Sequence, residues 1–385
     1  MSRGHVVKRG RSWSIVVELA ADPQTGKRRQ RWHSGFRTRK DAERERVKLL
    51  AAIDSGAYVE NTRQTVSEFV GDWLPAIEET LRPSTLHSYR RNLMLHVLPY
   101  IGTLPLFSVD PGTLNGLYAR LRREGRRDRP GGLSARSVRY VHTILHRSLR
   151  DAVRWGRLIR NPADAADPPR ATASAAPEMR TWAAADLRRF LETVSHDRLH
   201  AAFRLLATTG MRRGEALGLR WADLDLEAER AAIRQTVIAV EHTVVIGTPK
   251  TAKGRRVVAL DAGTVAALRA HRGRQLEERL LMGTGWRDHG LVFSKVTGER
   301  LHPERFSREF DRRVARHGLP RITLHGLRHT WATLALQAGV HPKVVQERLG
   351  HASVGITLDI YSHATPAMQS DAAETVAALV FDTRR

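Results

Sequence analysis

Four short stretches of this chain concentrate residue types suited to a phosphate ester. Residues 208–221 read Thr-Thr-Gly-Met-Arg-Arg-Gly-Glu-Ala-Leu-Gly-Leu-Arg-Trp and residues 323–330 read Thr-Leu-His-Gly-Leu-Arg-His-Thr. Leu349-Gly350-His351 follows, and then 357–363, Thr-Leu-Asp-Ile-Tyr-Ser-His. Arg212 and Arg328 are candidate phosphate clamps, because a guanidinium fork matches two phosphate oxygens and stays charged at any working pH. Their larger effect would come in the transition state, where negative charge builds on the oxygens around phosphorus. His325 and Arg328 share one helical face at i, i+3 spacing, so His325 could move a proton or donate a hydrogen bond to the same phosphate. Tyr361 is a candidate nucleophile or, more plainly, a packed aromatic on an amphipathic helix. Ionising its phenol at pH 7 costs roughly 4 kcal/mol, which nearby cations or a base must offset. Glu215, three residues beyond Arg212, could hold that arginine or a neighbouring histidine in place, or form an ordinary surface ion pair. His325 and His329 at i, i+4 also suggest a metal site. Gly326 stands where a zinc protease carries Glu and no third ligand is evident, so no metal and no cofactor are expected.

The partner is written in the charge. Across 385 residues, 64 Lys and Arg face 40 Asp and Glu, a formal surplus of +24 spread through every segment rather than gathered in a tail. Such a surplus points to a polyanion, since cationic side chains neutralise phosphates and release condensed counterions. Cysteine is absent, which excludes disulfides, thiol nucleophiles and thiolate metal sites. No apolar run of about 18 residues and no signal-like N-terminus is present, so an intracellular, cytoplasmic protein without a membrane partner is expected.

Three kinds of element must position these residues. Residues 1–62 read as a small β ribbon with one helix: Trp13, Ile15, Val17 and Leu19 alternate along a strand, 22–26 form a turn, and Lys27 to Phe36 return. Thr38 caps a helix reaching about Ile53. Arg28, Arg29 and Arg31, clustered around Trp32, are candidate DNA contacts. Residues 63–165 read as four helices, opened by the Thr65–Glu68 capping box, Pro83, Asp110-Pro111 and Ser134, with Arg136 and Arg139 as candidate DNA contacts on the polar faces. Asn161 to Glu178, rich in Ala, Pro and Asp, reads as an extended linker, bounded as a separate segment at 166–178. Residues 179–385 read as mostly helical, with one small antiparallel sheet formed from three β-branched runs between Ala231 and Leu260. A last helix begins at Pro366 and carries an apolar stripe of Ala373, Val376, Leu379 and Val380. The fold class is therefore α+β and multidomain.

The four stretches, in this order and ending in Tyr361, resemble the tyrosine recombinases of the lambda-integrase type. The helical segment resembles their core-binding domain more loosely, and the N-terminal ribbon is similar to their arm-site DNA-binding domain. That resemblance selects Arg212 over Arg213 and Arg220. It implies that Tyr361 attacks a phosphodiester to give a 3′-phosphotyrosine, which conserves the bond energy, so rejoining uses neither ATP nor metal. A lysine on a β-hairpin tip would protonate the leaving 5′-oxygen. Lys250 fits the family pattern of Lys-Thr, a short loop and a β run; Lys253 is the alternative. The family position matching His351 is sometimes Trp, which suits hydrogen bonding and packing against the phosphate, and His363 is not a catalytic position. The resemblance further implies attachment-site duplexes held in a C-shaped clamp formed by the last two domains, and a homotetramer. The terminal helix would dock on the next protomer or on its own domain. A DNA-bending protein and a directionality factor would assist a phage or other mobile element in a bacterial cell.

Other readings are distinguishable. A type IB topoisomerase shares the Arg, Lys, His and Tyr set, but the arm-like ribbon and small size favour recombination. A catalytically decayed integrase acting as a DNA-binding regulator would not need Arg212, His325, Arg328, His351 and Tyr361 together. A metal-dependent nuclease or transposase needs a carboxylate cluster that the motifs do not contain, and no serine-recombinase context is found.

Overall fold

In the computed structural model the described residues are 4–19, 26–54, 63–170, 180–241, 243–249, 254–351, 353, 355, 373–374, 376–378 and 380–381. The chain divides into two compact units, residues 1–175 and 176–385.

Period-two alternation builds an antiparallel sheet at the start of the first unit: β1 (Gly4–Arg9), β2 (Ser12–Leu19) and β3 (Arg29–Phe36), in that order. The sequence reading expects two strands. It misses β1 because a six-residue run containing two cations and a glycine carries little apolar pattern, and the strand exists through its pairing with β2. Thr38 accepts a hydrogen bond from the Asp41 amide (3.1 Å) at the start of α1 (Arg39–Asp54). That helix covers the face bearing Ile15 and Val17. Antiparallel partners share a face, so Arg31, opposite Val17, and Arg29, opposite Leu19, lie on the α1 side of edge strand β3. Trp32 pairs with Val16 on the other face, is 50% exposed, and has the Arg9 guanidinium 5.7 Å from its ring centroid.

The helical part contains α2 (Val66–Ala76), α3 (Pro83–His96), α4 (Leu98–Ile101), α5 (Pro111–Glu124) and α6 (Ala135–Arg154). Each expected cap forms. Thr65 and Glu68 exchange hydrogen bonds, the Thr113 amide donates to Asp110, and the Ser137 amide donates to Ser134. The apolar stripes meet around Trp73, Leu93, Leu114, Leu121, Val141 and Leu145. Arg136 and Arg139 lie on the exposed side of α6, and an Arg139 N–H donates to the Pro169 carbonyl (3.4 Å). One boundary needs correction: the extended segment does not begin at Asn161. That residue caps a 3₁₀ turn at Pro162–Ala165, and Ala163 and Ala166 are buried in the helical core.

In the second unit, α7 (Ala184–Thr193), α8 (His200–Thr209), α11 (Pro303–Arg316) and α12 (Leu324–Gln337) surround an aromatic cluster of Trp182, Phe190, Phe203, Phe306 and Phe310. Burying each such ring contributes about 1.5–3 kcal/mol. The backbone N–H of Trp182 donates to Thr330 (3.0 Å), which ties α12 to this core. The remaining helices are α9 (Arg213–Leu217), α10 (Ala262–Met282) and α13 (Pro342–Leu349). The expected single sheet is two. β4 (Leu224–Asp225), β5 (Arg230–Ile233) and β8 (Arg256–Ala259) form one, and β6 (Thr236–Val240) and β7 (Thr243–Gly247) form a separate hairpin. Strand β8 passes over the hairpin in sequence to pair with β5, a non-local choice that local periodicity does not encode. Near the C-terminus the described residues between 373 and 381 are helical, with Val376 and Val380 exposed. Pro366 and Leu379 lie outside the described residues.

Candidate active site

Arg212 is placed by the geometry around it rather than by a helix of its own. Gly210 ends α8 in the left-handed region (φ 65°), and Arg212 follows in an extended conformation as the residue preceding α9. Gly214 lets α9 press onto β6: a Cβ there would lie 2.5 Å from Thr236 Oγ1 and 2.6 Å from the Val237 carbonyl oxygen. From this platform Arg212 Nη1 donates to Glu215 Oε1 (2.8 Å) and its backbone N–H to Oε2 (2.9 Å). Glu215 thus holds Arg212, one of the two roles its spacing allowed.

The second half of the site is the C-terminal end of α13. A helix leaves its last carbonyls without intrahelical donors, and these carry the negative end of the helix dipole. Three successive carbonyls there accept from three different arginines: Arg348 O from Arg256 Nε (2.6 Å), Leu349 O from Arg328 Nη2 (2.7 Å), and Gly350 O from Arg212 Nη2 (3.2 Å). Arg328 also donates from Nη1 to Gly210 O (2.7 Å), so it bridges the ends of α8 and α13. The three differ in exposure. The Arg212 side chain is 41% exposed and that of Arg256 8%, while Arg328 as a whole is 2% exposed. Arg212 is the guanidinium this arrangement presents to solvent.

Histidines gather on the same cations. Thr323 caps α12, which begins Leu324-His325, and His325 and His329 are stacked edge to face with ring centroids 4.6 Å apart. His351 follows the left-handed Gly350 (φ 66°) that ends α13, its backbone fixed through Gln346. Desolvation, then the charges of Arg328, Arg212 and Arg213, lower the pKa of His325. Burial, the neighbouring His325 and the Arg328 charge bring His329 down to about 4. Burial and the Arg328 and Arg212 charges do the same to His351, again to about 4. Burial pushes the Glu215 carboxyl up, but the hydrogen bonds and charge of Arg256, with those of Arg212, outweigh it and hold the group below its usual range.

The structure therefore brings Arg212, Glu215, His325, Arg328 and His351 together. Arg213 donates instead to Ser307 (2.7 Å), and Arg220 forms a two-bonded pair with Asp223 (2.7 and 2.9 Å). Lys250, Lys253, Tyr361 and His363 lie outside the described residues. Arg28, Arg29, Arg31, Arg136 and Arg139 belong to the first unit. Among the described residues no group of three His, Cys, Asp or Glu is spaced to hold a metal, and no helix is long and apolar enough to cross a membrane. The sequence motifs single out no role for Arg256. A signal lies in the alternation: Arg256 and Val258 share one face of β8 and Val258 is buried, so an arginine in that row needs a buried acceptor.

Comparison with known proteins agrees with this layout. Residues 182–368 match the phage integrase family, residues 5–51 an arm DNA-binding domain, and residues 65–121 the N-terminal SAM-like domain of phage integrases. A XerC-like tyrosine recombinase of Caldanaerobacter subterraneus is 26% identical, the match covering 96% of this chain and 97% of the relative. The ICEBs1 integrase of Bacillus subtilis is 24% identical over 94% of this chain and 96% of its own length. Among solved structures, the Tn1549 transposon integrase in complex with a circular intermediate DNA aligns with a TM-score of 0.66 at 21% identity, covering 82% of this chain and all of that one. A lambda integrase tetramer bound to a Holliday junction aligns at 0.54 and 17% identity, covering 90% of this chain and 95% of that one. At these identities the structural likeness is one of fold. With three family domains matched in order along one chain, and full-length relatives that are recombinases, this protein belongs to the phage integrase family of tyrosine recombinases.

Proposed function

We propose that the protein is a site-specific DNA recombinase, an integrase that cuts and rejoins duplex attachment sites of a mobile element through a covalent 3′-phosphotyrosine on Tyr361. The observation that carries this reading is the solvent-presented Arg212 guanidinium, anchored by Glu215 and Gly350 beside buried Arg328. A scissile phosphate seated there would meet two fixed positive charges, one of them in a low-dielectric surrounding where it acts strongly.

In the proposed cleavage, Tyr361 Oη attacks phosphorus, the new P–O bond forms, and the bond to the 5′-oxygen breaks. Lys250 supplies the proton to that oxygen, with Lys253 as the second candidate. His325, unprotonated at neutral pH, is suited to take the phenolic proton, and His351 to hydrogen-bond a phosphate oxygen. Rejoining runs the same steps backwards from an incoming 5′-hydroxyl. Arg28, Arg29 and Arg31 would contact arm-site DNA, and Arg136 and Arg139 the core site. A homotetramer, by analogy with the lambda integrase tetramer, completes the reading, and the family resemblance adds a bacterial cytoplasm, a DNA-bending protein and a directionality factor. An adduct on a nicked attachment-site duplex without divalent metal, present with the native protein and absent with Tyr361→Phe on a denaturing gel, is the expected result. Tight DNA binding with no adduct on any candidate site would instead indicate a regulator that has lost catalysis.

A further inference from the structure

Arg256 stands at the start of β8 with its side chain buried, and it is bonded to groups that in turn fix Arg212. Its Nη2 donates to Glu215 Oε2 (2.9 Å) and its Nη1 to Glu215 Oε1 (3.2 Å). These are the same two oxygens that accept from the backbone and side chain of Arg212. Its Nε holds the Arg348 carbonyl (2.6 Å), two residues before the Gly350 carbonyl that accepts from Arg212. Its Nη1 also reaches the Gly254 carbonyl (3.2 Å), where the described chain resumes after 250–253.

Both acceptors that orient Arg212, the Glu215 carboxylate and the end of α13, are therefore themselves tied to Arg256. Glu215 is 4% exposed, and a carboxylate buried that far needs paired cations and hydrogen-bond donors on its oxygens, most of which Arg256 and Arg212 supply. An ammonium cannot replace the fork, because one point charge cannot span both oxygens and a carbonyl in a second direction.

We propose that Arg256 is a positioning residue for DNA cleavage, locking Glu215 and the end of α13 so that the Arg212 guanidinium is held where the scissile phosphate will sit. This rests on the recombinase reading above. It acts through Arg212 and needs no contact with DNA.

The test uses the full-length protein with Arg256→Met, Arg256→Lys, Arg212→Lys and the Arg212→Lys/Arg256→Met double variant. Single-turnover adduct formation on a nicked duplex is read beside DNA affinity and deuterium exchange over residues 210–216. Arg256→Met is expected to slow adduct formation by about 10²-fold, the scale of losing one oriented transition-state donor, with DNA affinity little changed. Arg256→Lys should fall between Met and native, and Arg256→Met should add no further slowing in the Arg212→Lys background. The Arg212 amide, which donates to Glu215, should exchange faster in Arg256→Met. Native cleavage rates in Arg256→Met, or an equal slowing in both backgrounds, would overturn the proposal, the second outcome marking a general scaffold role. If native protein forms no Tyr361 adduct, the recombinase reading falls and exchange decides the positioning claim alone, faster around Arg212 upholding it and unchanged rejecting it. Should Arg256→Met fail to fold, Arg256→Lys carries the same comparisons.

Discussion

Arg328 donates through Nη1 to the carbonyl of Gly210 at 2.7 Å, joining the second turn of α12 to the C-terminal cap of α8. A buried charge is stable only with its donors satisfied, and here backbone carbonyls supply the acceptors. The position of Arg328 thus depends on the backbone conformation of a glycine more than a hundred residues away in sequence.

That dependence predicts the effect of Gly210→Ala. The left-handed φ of 65° disfavours any Cβ, and the added atom would lie 2.7 Å from Leu349 Cδ2 and 2.9 Å from Trp331 Cε3. Backbone strain and the clash together should cost about 2–4 kcal/mol. Urea unfolding should show a lower midpoint, and adduct formation should drop beyond what the unfolded fraction explains. Native stability in the variant would refute the packing argument.

Histidine titration gives a second test. His329 and His351 are held at about 4, against an ordinary value of 6.5. The unfolded chain then binds more protons between those limits. These groups contribute their full stability above pH 6.5 and lose it as pH falls toward 4. In the DNA-free protein, ring proton shifts of both residues should stay those of neutral imidazole at pH 6. Midpoints near 6.5 would show that the arginine charges and burial do not reach them.

In the helical domain the indole N–H of Trp73 donates to buried Asp151 Oδ2 at 3.0 Å, across 78 residues of sequence. Trp73→Phe keeps an aromatic ring but strips this donor along with the pyrrole part of the indole, leaving Asp151 with Arg154 on its other oxygen. Leaving a buried acceptor short of a donor costs about 1–3 kcal/mol. A lowered melting temperature should result. Unchanged stability would mean water replaces the indole.

Much of this was legible because caps and stripes are local. Thr38, Thr65 with Glu68, Asp110 and Ser134 each start the helix their chemistry predicts. The motif residues Arg212, Glu215, Arg328 and His351 meet although the sequence separates them by up to 139 positions, and only the resemblance to a known motif order made that visible. What stayed hidden depends on atoms every residue shares or on non-local pairing. Carbonyls of Arg348, Leu349 and Gly350 as acceptors leave no mark in side-chain type, and nothing local tells β8 to join β5 rather than the hairpin.

The arm domain offers a prediction about salt. Arg29 and Arg31 lie on the edge strand β3 of a small sheet in a strongly basic chain. If each meets a phosphate, Arg29→Ala or Arg31→Ala should weaken arm-site binding and reduce the slope of log K against log salt by about 0.9. The loss should be similar across DNA sequences, since phosphate contacts carry no base information. A slope equal to the native one would remove that residue from the interface.

Lys250 and Lys253 can be separated by changing the leaving group rather than the protein alone. Cleavage expels a 5′-alkoxide, a poor leaving group that needs a proton as the bond breaks, and general-acid assistance is commonly worth about 10²–10⁴-fold. A bridging sulfur at that position leaves as a thiolate, whose conjugate acid is far more acidic, so it departs without help. Lys250→Met should therefore slow cleavage of the ordinary nicked duplex severely and cleave the sulfur-bridged one at close to the native rate. Lys253→Met should slow both alike, as loss of a phosphate contact would. Rescue of Lys253→Met and not Lys250→Met would reverse the assignment. No rescue of either would mean that neither lysine delivers the proton.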